Sequence, residues 1–326
     1  MDTPWVHTLD PFAVGPIRWY GLAYLAGFIC AYFLVRRVMR ASTSPLPPSK
    51  ASDLIFALVL GVMIGGRLGY VAFYQPSLLW TFSERLPFWE ALAINRGGMA
   101  SHGGMIGVVI AALIFAHRQR APFLYVVDLA AFGAPLGLFF GRLANFVNGE
   151  LYGRPAPDLL PWAVKFPQEM HAWNALQLLQ MHQSLARVQR DAPAVDDVIE
   201  ALQRDDTVVS TAIAPLLLAR HPSQIYEALL EGLFVFAVLL VAWRVARKPG
   251  TIAATFGIVY AFVRIFGEQF RLPDAPVLAV LGIEVTRGQL LSIVLLAASL
   301  GLALLVHRQN RQAGGGWLKG PRRHLP

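Results

Sequence analysis

Cysteine is almost absent. The chain of 326 residues holds one, Cys30. No disulfide can form within it, and there is no CxxC pair or Cys/His cluster for zinc. Cys30 lies inside an apolar run and reads as a buried structural thiol. Charge is scarce as well: Asp, Glu, Lys and Arg make up 15% of the chain, against about 25% in a soluble domain. That composition excludes an ordinary water-soluble globular protein. Also missing is the basic start of a secretory signal, since the chain begins MDTPWVHTLDPF. Its first apolar run is followed by RRVMR, which reads as a retained span with a basic stop. There is no GxSxG elbow and no rhomboid-type GxSG. No internal repeat of the kind found in inverted-repeat transporters is visible. His171 and His182 are eleven apart without partners, so no metal site is expected.

What is present in quantity is apolar sequence, 56% of the chain. Several runs approach the roughly 20 residues needed to cross a bilayer. A lone span must satisfy its backbone internally, so the runs read as helices, and their continuity excludes a barrel of short alternating strands. The expected fold is an all-α polytopic membrane protein with about seven transmembrane helices. The spans fall near 17–35, 53–74, 98–116, 123–146, 224–243, 251–270 and 289–306 of one membrane domain, 1–326. Segment 153–220, between spans four and five, is expected to form a small extracytoplasmic head or arm. It contains two stretches of helical period, in QEMHAWNALQLLQMHQSLARVQR and DAPAVDDVIEALQRDD.

Net charge is +8. In a membrane protein this need not mean nucleic acid, and none is expected as a partner. Basic residues instead mark one side. One set of connections holds Arg36, Arg37, Arg40, Lys50, Arg118, Arg120, Arg244, Arg247, Lys248, Arg308, Arg311, Lys319, Arg322 and Arg323, 14 in all; the opposite short segments hold Arg18, Arg85, Arg96, Arg271 and Arg287, only 5. The positive-inside rule then predicts a cytoplasmic C-terminus and, with seven spans, an N-terminus outside.

Polar and ionisable residues inside spans are costly and mark function by default. Arg67, Arg142 and Arg264 fall in the outer half of spans two, four and six, or near it. Three cations at similar depth repel one another unless they hold an anion or pair with carboxylates. A phospholipid phosphate suits the planar guanidinium fork. Arg264 and Glu268 are four apart and within reach of a local pair. Glu227 and Glu231 share a helical face, and Glu231 reads as structural. Asp53 and Asp128 read as helix-start caps. His102, flanked by glycines in RGGMASHGGMIG, is either a packed histidine or a base. Tyr20 is an interface anchor or part of a site. Arg67 is a gate or an ion-pair partner. These residues fit recognition or transformation of an anionic lipid. They also leave open a transporter or flippase, an intramembrane hydrolase using Ser101 or His102, and a scaffold.

The blocks IRWYGLAYLAGF, GGRLGYVAFY, RGGMASHGGMIG, GRLANFVNGELYGRP, RHPSQIYEALLEG and FVRIFGEQFRLPDA resemble, in this order, the bacterial prolipoprotein diacylglyceryl transferases. The likeness covers all seven expected spans and departs in 156–218. It implies an enzyme of the bacterial inner membrane. Such an enzyme moves diacylglyceryl from phosphatidylglycerol to the thiol of a lipobox cysteine in a prolipoprotein signal peptide. A thioether forms and glycerol phosphate is released. No cofactor and no metal are implied. It further implies that Arg142 and Arg264 bind the phosphate and stabilise its growing charge, with Glu268 orienting Arg264. Asn145, Asn148 and Glu150 would supply hydrogen bonds near the head group, and Gly153 would permit a tight turn there. His102 would be the base towards the thiol, and Tyr20 would stand beside the site.

Overall fold

The structure is a computed structural model that describes residues 4–15, 17–41, 43–84, 86–94, 97–157, 160–190, 194–273, 278–280 and 283–318. Among the basic residues counted for orientation, Arg85, Arg96, Lys319, Arg322 and Arg323 lie outside these. Short strands β1 (Trp5–Val6), β2 (Phe12–Val14) and β3 (Ile17–Arg18) open the chain. Helices follow as α1 (Trp19–Met39), α2 (Ala51–Phe73), α3 (Ser101–Gln119) and α4 (Phe123–Val147). Next come β4 (Val164–Lys165), α5 (Ala175–Arg187), α6 (Val195–Gln203), α7 (Thr207–Ile213), β5 (Ala219–Arg220) and α8 (Ser223–Glu227). A π-helical stretch, Ala228–Phe234, leads into α9 (Val235–Ala242). Then follow α10 (Thr251–Gly267), β6 (Leu278–Val280), β7 (Ile283–Val285) and α11 (Arg287–Arg308).

Helices therefore stand at all seven apolar runs, and the chain is a multi-pass membrane protein. Five stretches are long and apolar enough to cross a bilayer: Trp19–Met39, Pro48–Phe73, Phe123–Val147, Ser223–Ala242 and Arg287–Arg308. α10 is shorter, at 17 residues. α3 carries His102, His117, Arg118 and several glycines, and is not among the five. Their outward faces are what lipid contact demands. On α2, for example, Phe56, Leu60, Ile64 and Leu68 recur every fourth residue and are all exposed. Cys30 is half-buried rather than buried.

The chain divides into two compact units. The first comprises 1–27, 135–235 and 259–296. Here β1, β4 and β5 form one small sheet, with β1 parallel to β4 and β4 antiparallel to β5. The inserted segment has its own core, in which Met170, Met181, Leu185, Ile199, Leu202 and Ile213 are packed together. Asn174 and Gln177 cap α5 reciprocally, and the Asp206 carboxylate receives the first amides of α7. α7 had no counterpart in the expected helices of this segment.

The second unit comprises 28–134, 236–258 and 297–326. α2 and α3 meet through glycines, which is why these spans are rich in them. A β-carbon on Gly69 would come within 2.7 Å of the Gly103 Cα. Both aspartates expected to start helices do other work. Asp53 stands in the first turn of α2, after the N-cap position, and pairs with Lys50 at 3.0 Å. Asp128 is well inside α4 and caps a different helix: its carboxylate accepts from the Gly250 and Ala253 amides at 2.7 and 2.8 Å, at the start of α10.

Candidate active site

The end of α4 explains much of the polar chemistry in GRLANFVNGELYGRP. Gly149 has φ +68°, a conformation glycine tolerates. Its amide donates to Phe146 O at 2.9 Å, and the Glu150 amide donates to Asn145 O at 3.0 Å. This paired pattern closes the last helical turn and satisfies its carbonyls. The Asn145 side chain is then free to donate to the Tyr20 hydroxyl, which in turn donates to Glu150 Oε2 at 2.9 Å. Tyr20 is thus part of a hydrogen-bonded chain at the tip of α4 and not simply an interface anchor. Asn148 is buried beside it in sequence, and its backbone closes the helix against Ala144 O.

Gly153 is needed for closeness rather than for a turn. Its φ is not positive, but a β-carbon there would lie 2.7 Å from Phe270 O. The Gly153 amide donates to His221 O, and Arg154 donates to Phe270 O and Arg271 O. Arg220 clasps this loop: it donates to Gly153 O at 3.2 Å and Glu169 at 2.5 Å, and lies over the Tyr152 ring. Burial is the main cause that pushes the Tyr152 phenol up, and it pushes the His221 imidazole down.

Behind that loop is an arginine–carboxylate network. Arg142 on α4 donates to Glu231 Oε2 from Nη2 at 3.0 Å and from Nε at 3.3 Å. Arg264 on α10 donates from Nη1 to Glu227 Oε1 at 2.5 Å and to Glu231 Oε1 at 3.0 Å. Arg271 reaches Glu227 Oε1 at 3.3 Å. Arg264 Nη2 lies 3.0 Å from Glu268 Oε2, as their spacing predicts. Thr286 donates to the other Glu268 oxygen at 2.9 Å, and a β-carbon on Gly288 would press on that carboxylate at 2.8 Å. Three guanidinium groups meet three carboxylates, which removes the repulsion expected of clustered cations.

Glu227, Glu231 and Arg271 were not among the site residues read from the sequence. The visible signal was the four-residue spacing of two acids in an apolar run. Their partners lie 33 to 89 positions away in the chain, beyond any local pattern.

Arg67 and His102 belong to the other unit. Arg67 is buried and spends its guanidinium on carbonyls: Ala91, Gly97, Gly98 and Glu90, at 2.8, 2.6, 3.1 and 2.5 Å. It has no carboxylate partner among the described residues, and its contacts are those of a structural arginine rather than of an ion pair. His102 is exposed in the first turn of α3. No group of three or more metal-type ligands occurs among the described residues.

Residues 10–305 match the family model described as prolipoprotein diacylglyceryl transferase. Several curated proteins named phosphatidylglycerol–prolipoprotein diacylglyceryl transferase are similar to the chain. The one from Bdellovibrio bacteriovorus is 41% identical, covering 97% of each chain. That from Rhodospirillum rubrum is 38% identical over 92% of this chain and 90% of its own. That from Rhodospirillum centenum is 41% identical over 91% of each.

Proposed function

Since the chain belongs to the prolipoprotein diacylglyceryl transferase family, we infer that the arginine–carboxylate network is the phosphate end of its active site. The protein is an enzyme that transfers the diacylglyceryl group of phosphatidylglycerol to prolipoproteins. The acceptor is the thiol of a lipobox cysteine in the signal peptide. Its sulfur attacks the diacylglyceryl carbon that carries the phosphate ester oxygen, that C–O bond breaks, and the electron pair leaves with glycerol phosphate. The phosphate passes from one negative charge to two. Arg142 and Arg264 stabilise that added charge, as preorganised cations do in a site with little water. The observation that carries this reading is that guanidinium groups from two helices converge on the same two carboxylates.

Tyr20, Asn145, Asn148, Glu150 and Gly153 shape the head-group end, and Glu268 steadies Arg264. The thiol gives up its proton to a base before attack, because thiolate is the reacting species. The membrane is the bacterial inner membrane, crossed seven times. Residues 153–220 form an arm outside it, the N-terminus is outside, and the C-terminus is cytoplasmic. The supporting observations are the helices at the seven apolar runs, five of them in stretches long and apolar enough to cross a bilayer, and the uneven distribution of Lys and Arg.

The test is direct. Purified enzyme is incubated with phosphatidylglycerol and a synthetic lipobox peptide, and the peptide is analysed by mass spectrometry. A diacylglyceryl adduct on cysteine, with release of glycerol phosphate, is expected. Phosphatidylglycerol that crosses a proteoliposome membrane without forming any adduct would instead identify a transporter.

A further inference from the structure

Resting on that reading, we infer that Glu227 and Glu231 are positioning residues. They hold and orient Arg142 and Arg264, the two arginines read as binding the lipid phosphate. Exposure orders the network in depth. The Glu227 and Glu231 side chains are 1% exposed, whereas Arg142 and Arg264 are 14% and 12% exposed. The carboxylates are therefore the more deeply buried partners of the network.

Hydrogen bonds and ion pairs together hold each guanidinium. Arg142 commits Nε and Nη2 to Glu231. Its Nη1 stands 3.0 Å from Glu227 Oε2, yet that oxygen accepts no hydrogen bond among the described residues. Arg264 commits Nη1 to both glutamates, while its Nη2 stands 3.0 Å from Glu268 Oε2, which likewise accepts none. Nη1 of Arg142 and Nη2 of Arg264 are thus in close ion pairs, so each guanidinium is held by more than one carboxylate. A phosphate has several oxygens suited to two such forks. A buried carboxylate fixes an arginine's plane without occupying all five donors.

The two glutamates owe their place to the π-helical stretch Ala228–Phe234, which widens the helix between them, a distortion frequent at functional sites. Both act through the arginines.

The experiment compares wild-type enzyme with Glu227→Gln, Glu231→Gln and Glu231→Asp, in mixed micelles of detergent and phosphatidylglycerol. KM for the lipid, KM for the lipobox peptide, kcat and thermal unfolding are measured for each. Gln keeps size but loses the charge that orients arginine. A rise of about tenfold in the lipid KM is expected for each Gln variant, in the range seen when orienting partners are removed at other charged sites. The peptide KM should move little, the thermal midpoint should fall because buried positive charge loses a partner, and Glu231→Asp should fall between Gln and wild type. An unchanged lipid KM in both Gln variants overturns the inference. So does a loss of folded enzyme with normal KM in what remains, which is the signature of a structural role. Should one Gln variant fail to fold, the other decides. Failure of the wild type to form any adduct would sink the transferase reading itself, a separate outcome.

Discussion

Gly232 packs so tightly on Phe139 that a β-carbon added to it would lie 2.6 Å from the Phe139 Cβ. One residue before Gly232 is Glu231, and one turn beyond Phe139 is Arg142. The close approach therefore sets the separation at which this glutamate and arginine meet. Both atoms in the clash are rigidly attached to backbone, so Gly232→Ala must push the segments apart. Overpacking of this kind costs about 1–3 kcal/mol. Thermal unfolding in detergent should show a lowered midpoint, and kcat/KM should fall further than the folded fraction does. A Gly232→Ala enzyme equal to wild type in both measurements would show that the packing does not govern the pair.

The Tyr20 hydroxyl has two obligations, accepting from Asn145 and donating to Glu150. Tyr20→Phe keeps the ring, and with it the stack on Tyr24, but leaves both polar neighbours without that partner. If the chain of three orders the head-group end of the site, kcat/KM should drop about tenfold or more with little change in thermal midpoint. Asn145→Ala should produce a similar loss, and the double variant should lose less than the product of the two. Fully additive losses would mean that the residues act separately.

His7 supplies a pH signal independent of catalysis. Its ring is 1% exposed, packs against Phe146 and Phe166, and bonds through Nε2 to Phe146 O at 2.7 Å. Burial, the largest cause, pushes its pKa from 6.5 down to about 4. Between those values the unfolded chain binds a proton that the folded chain refuses. Stability from this group is therefore complete above about pH 6.5, falls as pH drops towards 4, and levels off below. The steepest part of that fall is about 1.4 kcal/mol per pH unit. Unfolding midpoints of wild type and His7→Gln, compared between pH 4.5 and 7, should diverge as this predicts. Parallel curves would show that His7 does not titrate on unfolding.

Several of these relationships lay open in the sequence, and others did not. Continuous apolar runs announced the helices, because spacing and hydropathy are local. Arg264 and Glu268, one turn apart, announced their own ion pair. Asp128 could not be read in this way: an aspartate early in a span looks like its own helix's cap, and nothing local shows that it serves α10, more than 120 residues later. Glu227 and Glu231 were visible as acids in a costly place. Which cations they would hold depends on how α4, the π-helical stretch and α10 pack. The π-helical widening itself has no residue signature. Gly153 was legible as necessary, but its reason, the nearness of the Phe270 carbonyl, belongs to tertiary structure.

Arg67 separates a lipid ligand from a structural arginine. By depth in its span it resembles Arg142 and Arg264. Its surroundings differ: it is 4% exposed, and its donors end on four backbone carbonyls between Glu90 and Gly98. Gly97 and Gly98, both at positive φ, turn two of those carbonyls towards it. A lysine concentrates its donors on one nitrogen and cannot reach the same spread of acceptors. Arg67→Lys should therefore lose hydrogen bonds to charge worth about 1.5–3 kcal/mol each, partly replaced by its own, and the thermal midpoint should fall clearly. Enzyme that remains folded should keep its KM for phosphatidylglycerol, because no donor of Arg67 is directed at lipid. Arg142→Lys should do the reverse, raising the lipid KM with a smaller loss of stability. If Arg67→Lys instead raised the lipid KM while leaving the midpoint intact, Arg67 would have to be counted with the phosphate-binding arginines.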